Sequence, residues 1–264
     1  MKSIITLFDM DGTLTEPRRS YERKLDAVLS ELSTISDIGI VSGSDYKYIK
    51  EQMRHFLTNT CMRYDTHVFP CNGTKHYTPP DLSSDTFTLK YEVDMREEMG
   101  SDCYYELVSI LLREQAKHMS SLPSLTGHFV DCRGSMINWC PIGRNADQQQ
   151  REAFVQWDTS FNFRSIELLY LANLQRINEL GLTVKLGGDT SFDIFPTGWD
   201  KTYCLRHLTD YEEIWFVGDR CGVGGNDKEL YDHLGAKAFQ TKSPNNTISI
   251  IKEDIIPHIS GGSE

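Results

Sequence analysis

The chain has 264 residues, enough for one large domain or two modest ones, and its 39% apolar and 25% charged residues give a globular rather than a disordered composition. Lysine and arginine total 27 against 38 aspartates and glutamates, a formal net charge of -11 that opposes general attraction to nucleic acid or to an anionic membrane. Any anion must therefore be held by a local group of arginines. The opening MKSIITLFDMDG carries an apolar run too short for a secretion signal, and no later run approaches a membrane span, so a cytoplasmic protein is expected. The cysteines Cys61, Cys71, Cys103, Cys132, Cys140, Cys204 and Cys221 are odd in number and form no CxxC pair, which reads as free thiols rather than disulfides or a thiolate zinc site.

Residues 2–8 predict a strand that ends at the turn Asp9-Met10-Asp11-Gly12-Thr13. In 21–35 the residues Leu25, Val28, Leu29 and Leu32 share one helical face, 38–41 reads as a strand closed by Ser42-Gly43-Ser44-Asp45, and 48–57 as a second helix leading to a strand at 66–69 and the turn Asn72-Gly73. Strand and helix in alternation predict an α/β fold with a parallel sheet, and ligands of such sheets bind beyond the carboxyl ends of the strands, where Asp9, Ser42 and Asn72 fall. The proline-bearing segment 78–84 predicts a boundary. Beyond it come a helix at 102–118 with Tyr104, Leu107, Val108 and Leu111 on one stripe, strands at 127–132 and 135–140, a helix at 165–180 with Ile166, Leu169, Tyr170, Asn173 and Ile177 on one side, and strands at 183–186 and 191–195. That irregular order predicts an α+β insert. Alternation returns with a helix at 201–208, an apolar strand at 214–217, an acidic loop and a helix at 228–234. The expected organisation is a core segment 1–83, an inserted domain 84–196 and a second core segment 197–264.

Asp9 and Asp11 follow a strand, and Gly12 lets the backbone turn so that both carboxylates face one cavity. One carboxylate can attack phosphorus, forming an acylphosphate, while the other handles a proton. The charge involved calls for a hard cation with oxygen ligands, and Asp219 and Asp227 supply further carboxylates after the strand at 214–217. Ser42 and Ser44 are candidate donors to a phosphoryl oxygen, and Lys201 a candidate to neutralise the nucleophile. Arg18, Arg133, Arg144 and Arg151 stand out in an acidic chain as candidate phosphate ligands. Ser191 and Asp193 alternate with Phe192 and Ile194, so on a strand they share a face suited to sugar hydroxyls. Cys221 lies inside the acidic loop.

The stretch DMDGTLT resembles the first motif of the haloacid dehalogenase superfamily, and LFDMDGTLTEPR, GIVSGSD, NGT, MINWCPIGR, SFDIFPTGWDKTYCL and GDRCGVGGND together resemble the eukaryotic-type phosphomannomutases within it. The resemblance implies a Rossmann-like core, a mobile α/β cap of the type IIB kind around an antiparallel sheet, and a homodimer formed through the cap. It also implies interconversion of mannose 6-phosphate and mannose 1-phosphate, a step toward GDP-mannose, with magnesium and with mannose 1,6-bisphosphate or glucose 1,6-bisphosphate as activator. Carried onto this chain, Asp9 is phosphorylated and Asp11 is acid/base. Arg18, Arg133, Arg144, Arg151, Ser191 and Asp193 fall on its substrate-binding positions, Lys201 on its lysine, and Asp219, Asn226 and Asp227 on its metal-side acidic loop; Ser42 and Ser44 stay candidate phosphate donors from their own chemistry, and the expected metal ligands are Asp9, Asp11, Asp219 and Asp227. The chain departs from the pattern at 145–150, at Val223 in place of a proline, at Ser42 in place of a glycine, and at Asp189 and Thr190 in place of apolar residues. A sugar-phosphate phosphatase of the same fold is the alternative activity, and a non-enzymatic sugar-phosphate sensor is disfavoured because binding alone needs no acid beside a nucleophile.

Overall fold

The computed structural model describes residues 2–261; residue 1 and residues 262–264, which the expected domain bounds include, lie outside the described residues. The chain divides into two compact units, one formed by its first segment up to Glu92 and its last from Asp200, the other by Val93–Trp199.

The first unit is built on a sheet of β1 (Ile4–Asp9), β2 (Asp37–Val41), β3 (Thr66–Phe69), β4 (Lys75–Thr78), β5 (Thr88–Glu92), β10 (Glu213–Gly218) and β11 (Ala238–Gln240), in the order β11-β10-β1-β2-β3-β4-β5. The strands β11, β10, β1, β2 and β3 are parallel, whereas β4 and β5 add an antiparallel edge. Successive residues of β1 are buried on opposite faces: Phe8 packs with Leu29, Ile40 and Val217, while Leu7 packs with Val41, Phe69 and Phe216. A strand covered on both sides reads as one apolar run, which is why 2–8 was legible without alternation. The helices are α1 (Asp26–Leu32), α2 (Tyr46–Gln52), α3 (Arg54–Asn59), α9 (Lys228–Leu234), α10 (Pro244–Ile250) and α11 (Ile256–Gly261), with Ile251–Ile255 as a wider π turn joining the last two.

Several expectations need correction. The predicted helix at 21–35 contracts to α1 behind a 3-10 turn, because Glu22 is extended, although Leu25, Val28, Leu29 and Leu32 are all buried as the stripe required. The helix expected at 48–57 is two, α2 and α3, separated at Met53. Residues 201–208 form a tight 3-10 helix, Lys201–His207. The core sheet runs past the boundary drawn at residue 83, since β5 pairs with β4 across Pro79 and Pro80.

The second unit contains α4 (Met95–Met99), α5 (Ser101–His118), β6 (Val130–Cys132), β7 (Ile137–Trp139), α6 (Gln148–Phe161), α7 (Phe163–Asn173), α8 (Gln175–Glu179), β8 (Leu182–Gly187) and β9 (Ser191–Pro196). Its four strands form an antiparallel sheet in the order β6-β7-β9-β8. The helix expected at 165–180 breaks at Leu174, whose backbone is extended, and its inward face differs from the predicted stripe. Phe163, Glu167, Leu171 and Ile177 are buried, whereas Ile166, Leu169 and Tyr170 are exposed. Among the described residues no helix is long and apolar enough to cross a membrane.

The Asn72-Gly73 turn ties β3 to the Lys201–His207 helix. Gly73 has φ +91, and a Cβ there would stand 2.6 Å from the Cys204 backbone. Gly73→Ala should therefore lower stability by about 2 kcal/mol or more, read as a reduced urea midpoint with unchanged slope.

Candidate active site

Three neighbouring parallel strands, β10, β1 and β2, deliver Asp219, Asp9 and Ser42 at their carboxyl ends. After Asp9 the Met10 carbonyl accepts the N–H groups of Leu14 and Thr15, each at 2.9 Å, which coils the chain into a turn. Gly12, at φ +85, lets that turn press against the acidic loop: a Cβ on it would lie 2.3 Å from Asp219 Oδ2. The acidic loop is equally tight, because Gly225 lies against the Arg220 carbonyl and Asp227 Oδ2 accepts the Arg220 N–H at 2.9 Å. Asp9, Asp219 and Asp227 thereby offer oxygens that all lie within 4.8 Å of one another.

Lys201 enters this group from its 3-10 helix, which Asp200 caps by accepting from the Thr202 N–H at 2.9 Å. Its ammonium is 0% exposed and donates to Asp9 Oδ1 and to Asp227 Oδ1. Burial alone would lower the Lys201 pKa, but Asp227 and Asp9 more than reverse this, so the ammonium stays charged. Burial pushes the Asp9 carboxyl up; Lys201 pulls it down and Asp227 and Asp219 push it up again, leaving it raised to about 8. Asp219 is raised to about 6, first by burial and then by Asp227. Fully ionised, three carboxylates against one ammonium would leave two negative charges in excess, the repulsion that together with burial holds Asp9 and Asp219 up, and Arg220 approaches Asp219 from an exposed position at 3.9 Å. Asn226 Oδ1, next to Asp227 in sequence, is buried with no hydrogen-bond donor among the described residues. Excess acceptors and uncompensated negative charge fit a hard divalent cation.

Asp11 does not join that cluster, contrary to its expected place among the metal ligands. The turn at Gly12 directs its carboxylate to the backbone N–H of Arg18, 2.9 Å away, and burial raises its pKa against the pull of that contact. Arg18 itself is exposed and takes φ 61. Ser42 is buried, its hydroxyl oxygen accepting the Ser44 N–H at 3.1 Å, and its carbonyl accepts the Asn72 N–H at 2.8 Å. Cys221 is buried, with its thiol raised to about 12 by burial, which keeps it unreactive.

The second unit carries a separate cationic group. Arg133 and Arg144 both contact Asp131 Oδ2, at 3.0 and 3.3 Å, and Arg144 also donates to Asn138 Oδ1 at 2.8 Å. Asn138 donates in turn to Ser191 Oγ at 2.9 Å and Asp193 Oδ1 at 2.6 Å, so the predicted shared face of Ser191 and Asp193 exists and is joined to Arg144. Arg151 donates to the Arg144 carbonyl at 2.9 Å and to Thr190 Oγ1 at 3.1 Å. Burial, and after it the neighbouring Arg133, lower the Arg144 pKa against the pull of Asp131.

A family model of eukaryotic phosphomannomutases matches residues 25–257. The chain belongs to this family. Phosphomannomutase 1 of Dictyostelium discoideum is 38% identical over 252 residues, 94% of this chain and 95% of its own length. The phosphomannomutase of Arabidopsis thaliana is 37% identical over 250 residues, again 94% and 95%. Among solved structures, the IMP-bound IMP-nucleotidase of Plasmodium falciparum gives a TM-score of 0.61 at 14% identity, covering 95% of this chain and 68% of its own. A trehalose-6-phosphate phosphatase related protein gives 0.52 at 13%, covering 98% and 100%. At such identities the likeness is one of fold.

For a phosphomannomutase family member the departures in sequence acquire physical roles. Asp147 and Gln150 form a reciprocal capping box at the start of α6, which sets the next residue, Arg151, on the first turn. Thr190 supplies the hydroxyl that fixes Arg151. Val223, at 97% exposure, sits outside the acidic cluster's packing. Asn138 and Asp131 were missed by the sequence reading, although a polar residue between Ile137 and Trp139 on a strand is a signal of the same kind that singled out Ser191 and Asp193.

Linkage to Asp219 gives a test. A carboxyl raised on folding is protonated in the folded form and ionised in the unfolded form between 3.8 and about 6, so its contribution to stability is present below that window and lost as pH rises through it. With a chelator present, urea midpoints should fall across this window more steeply in the wild type than in Asp219→Asn. Parallel profiles would show that the group is not buried as described.

Proposed function

We propose that this chain interconverts mannose 6-phosphate and mannose 1-phosphate through a phosphorylated Asp9 and a hexose 1,6-bisphosphate. In this reading an Asp9 oxygen attacks the phosphorus of the bisphosphate, the bond to the sugar oxygen breaks, and Asp11 gives that oxygen its proton. In the second half Asp11 takes the proton back from a sugar hydroxyl of the incoming or reoriented hexose phosphate as that oxygen attacks phospho-Asp9. The upward-shifted carboxyl of Asp11 suits a group that must both give and take a proton. Lys201 holds Asp9 in place and balances its charge, and the Ser42 and Ser44 hydroxyls donate to phosphoryl oxygens. Magnesium held by Asp9, Asp219 and Asp227 would offset the charge of the transferring phosphoryl group.

The observation that favours a mutase over the phosphatase alternative is the built arginine network of the second unit. A hydrolase needs one phosphate to react; a mutase must also hold the phosphate that is not reacting, at either end of the sugar. Arg133, Arg144 and Arg151, fixed by Asp131, Asn138 and Thr190, suit that second phosphate, and Ser191 and Asp193 suit the sugar hydroxyls. Arg18 is assigned to the substrate from the first unit. The proposed setting is the cytoplasm, with mannose 1-phosphate feeding GDP-mannose formation.

A coupled assay on mannose 1-phosphate, with and without mannose 1,6-bisphosphate or glucose 1,6-bisphosphate, tests the reading. Isomerised product should depend on the bisphosphate and exceed released phosphate, and Asp9→Asn should lose at least about 10³-fold in turnover. Stoichiometric release of phosphate without an activator would leave the phosphatase reading instead.

The outward apolar residues of the second unit support a homodimer. Tyr105 and Leu112 on α5, Val155 and Phe161 on α6, and Ile166 and Leu169 on α7 are all exposed, large apolar side chains of the kind that a protein interface covers. A second copy of this unit is the proposed cover. Light scattering on Leu169→Glu should give a monomer where the wild type gives a dimer; equal masses would remove the interface.

A further inference from the structure

The buried side of α7 carries a carboxylate that the mutase chemistry does not use. Glu167, 3% exposed, faces α5, where Glu114 and His118 stand one helical turn apart. His118 Nε2 lies 3.0 Å from Glu167 Oε2 and 3.8 Å from Glu114 Oε2, and each of the three residues offers a ligand atom within 4.8 Å of the others. Phe163 packs edge-on against His118 with ring centroids 5.0 Å apart. A recess of about 300 Å³ opens beside the group, lined by His118, Ser121, Trp157, Phe161, Ile166 and Glu167.

The hydrogen bonds of this group do not close without a further partner. Glu114 is satisfied, by Lys117 at 2.8 Å and by the Tyr170 hydroxyl at 3.3 Å. A protonated His118 together with Lys117 would match the two carboxylates in number, but Lys117 lies on the Glu114 side, half exposed. Glu167 Oε1 is buried, and no donor among the described residues reaches it. A buried carboxylate oxygen with no donor calls for either a proton or a cation, and the adjoining imidazole nitrogen and second carboxylate complete a ligand set for the latter.

We propose that Glu114, His118 and Glu167 form a binding site for a first-row divalent transition cation of the zinc class, separate from the carboxylates around Asp9. One imidazole nitrogen with two carboxylate oxygens is a donor set that such ions accept and that magnesium, with its preference for oxygen and water, does not select. Three protein ligands leave a coordination position, which the recess allows water to fill. The ion would join α5 to α7, and its uptake would release the proton of any imidazolium present.

The probe is ZnCl₂ titrated into the full-length protein in excess MgCl₂, followed by equilibrium dialysis, with CoCl₂ as the spectroscopic substitute. Wild type and Asp219→Asn should each bind zinc at this site, and Glu167→Gln and His118→Gln should each bind at least about tenfold more weakly. The cobalt form should show no near-ultraviolet thiolate band, which separates the site from the seven cysteines. Glu167→Gln keeps side-chain size and removes a buried charge, so it retains the fold, and its circular dichroism spectrum should match the wild type. No zinc uptake by the wild type, wild-type affinity in both the α5 and the α7 variant, a thiolate band, or loss of binding in Asp219→Asn with retention in Glu167→Gln would each overturn the assignment.

Discussion

A charged lysine with no exposure to solvent is the constraint around which the first unit is arranged. Removing an ammonium from water costs several kcal/mol, and ion pairing offsets that only when the geometry is tight and the remaining polar groups are satisfied. Lys201 meets the condition by reaching two carboxylates that lie 192 and 26 residues away in the chain. For both to be in reach, β10 must lie beside β1, the turn after Asp9 must fold back on the acidic loop, and that loop must close at Gly225. The glycines at these close approaches follow from the charge placement as much as from the turns themselves.

The second unit uses a different solution to crowded charge. Its arginines are partly solvated and are held in place by neutral and acidic neighbours rather than by one buried partner. Asn138 joins them: its carbonyl oxygen accepts from Arg144 while its amide donates to Ser191 and Asp193, so a cation and a pair of sugar-facing groups share one rigid intermediary. Asp131, held low by Arg133 and Arg144 against the upward effect of burial, keeps the two guanidinium groups close despite their repulsion. An anion arriving there meets donors already oriented, which limits the entropy lost on binding.

Much of the fold and of the first unit's chemistry could be read from the chain because it rests on local signals. An apolar run ending in Asp9-Met10-Asp11-Gly12 and another ending in Gly218-Asp219 are strand ends whatever surrounds them, and Lys201 stood out by its place between the insert and the returning core. The errors share a cause in tertiary context. Helical periodicity identified an apolar stripe on Ile166, Leu169 and Tyr170, but periodicity cannot say what covers a stripe, and here the inward positions belong to Phe163, Glu167 and Leu171. Asp11 was expected among the metal ligands, and the reversal of direction at Gly12 sends its carboxylate to the Arg18 N–H instead. The β4-β5 hairpin was hidden by Pro79 and Pro80, which read as a boundary and turn out to lie in its connection. Asn138 carries the same alternation signal as Ser191 and Asp193, but its role as the link between them and Arg144 shows only once β7 is paired with β9.

The discontinuity of the core has a consequence for the order in which the chain becomes structured during synthesis. β1 lies between β2 and β10, and only β2 follows it promptly; β10 begins at Glu213, after the whole of Val93–Trp199 has been made. At typical elongation rates of about 5–20 residues per second, one edge of the central strand waits on the order of 10–40 s for its partner. Throughout that interval Ile5 and Leu7 lack the cover of Phe216 and Leu230, while the contiguous insert is free to complete its own contacts. The nascent chain therefore passes through a stage with one finished unit and one open hydrophobic edge, the stage at which a chaperone has most to shield and a misplaced strand most to gain.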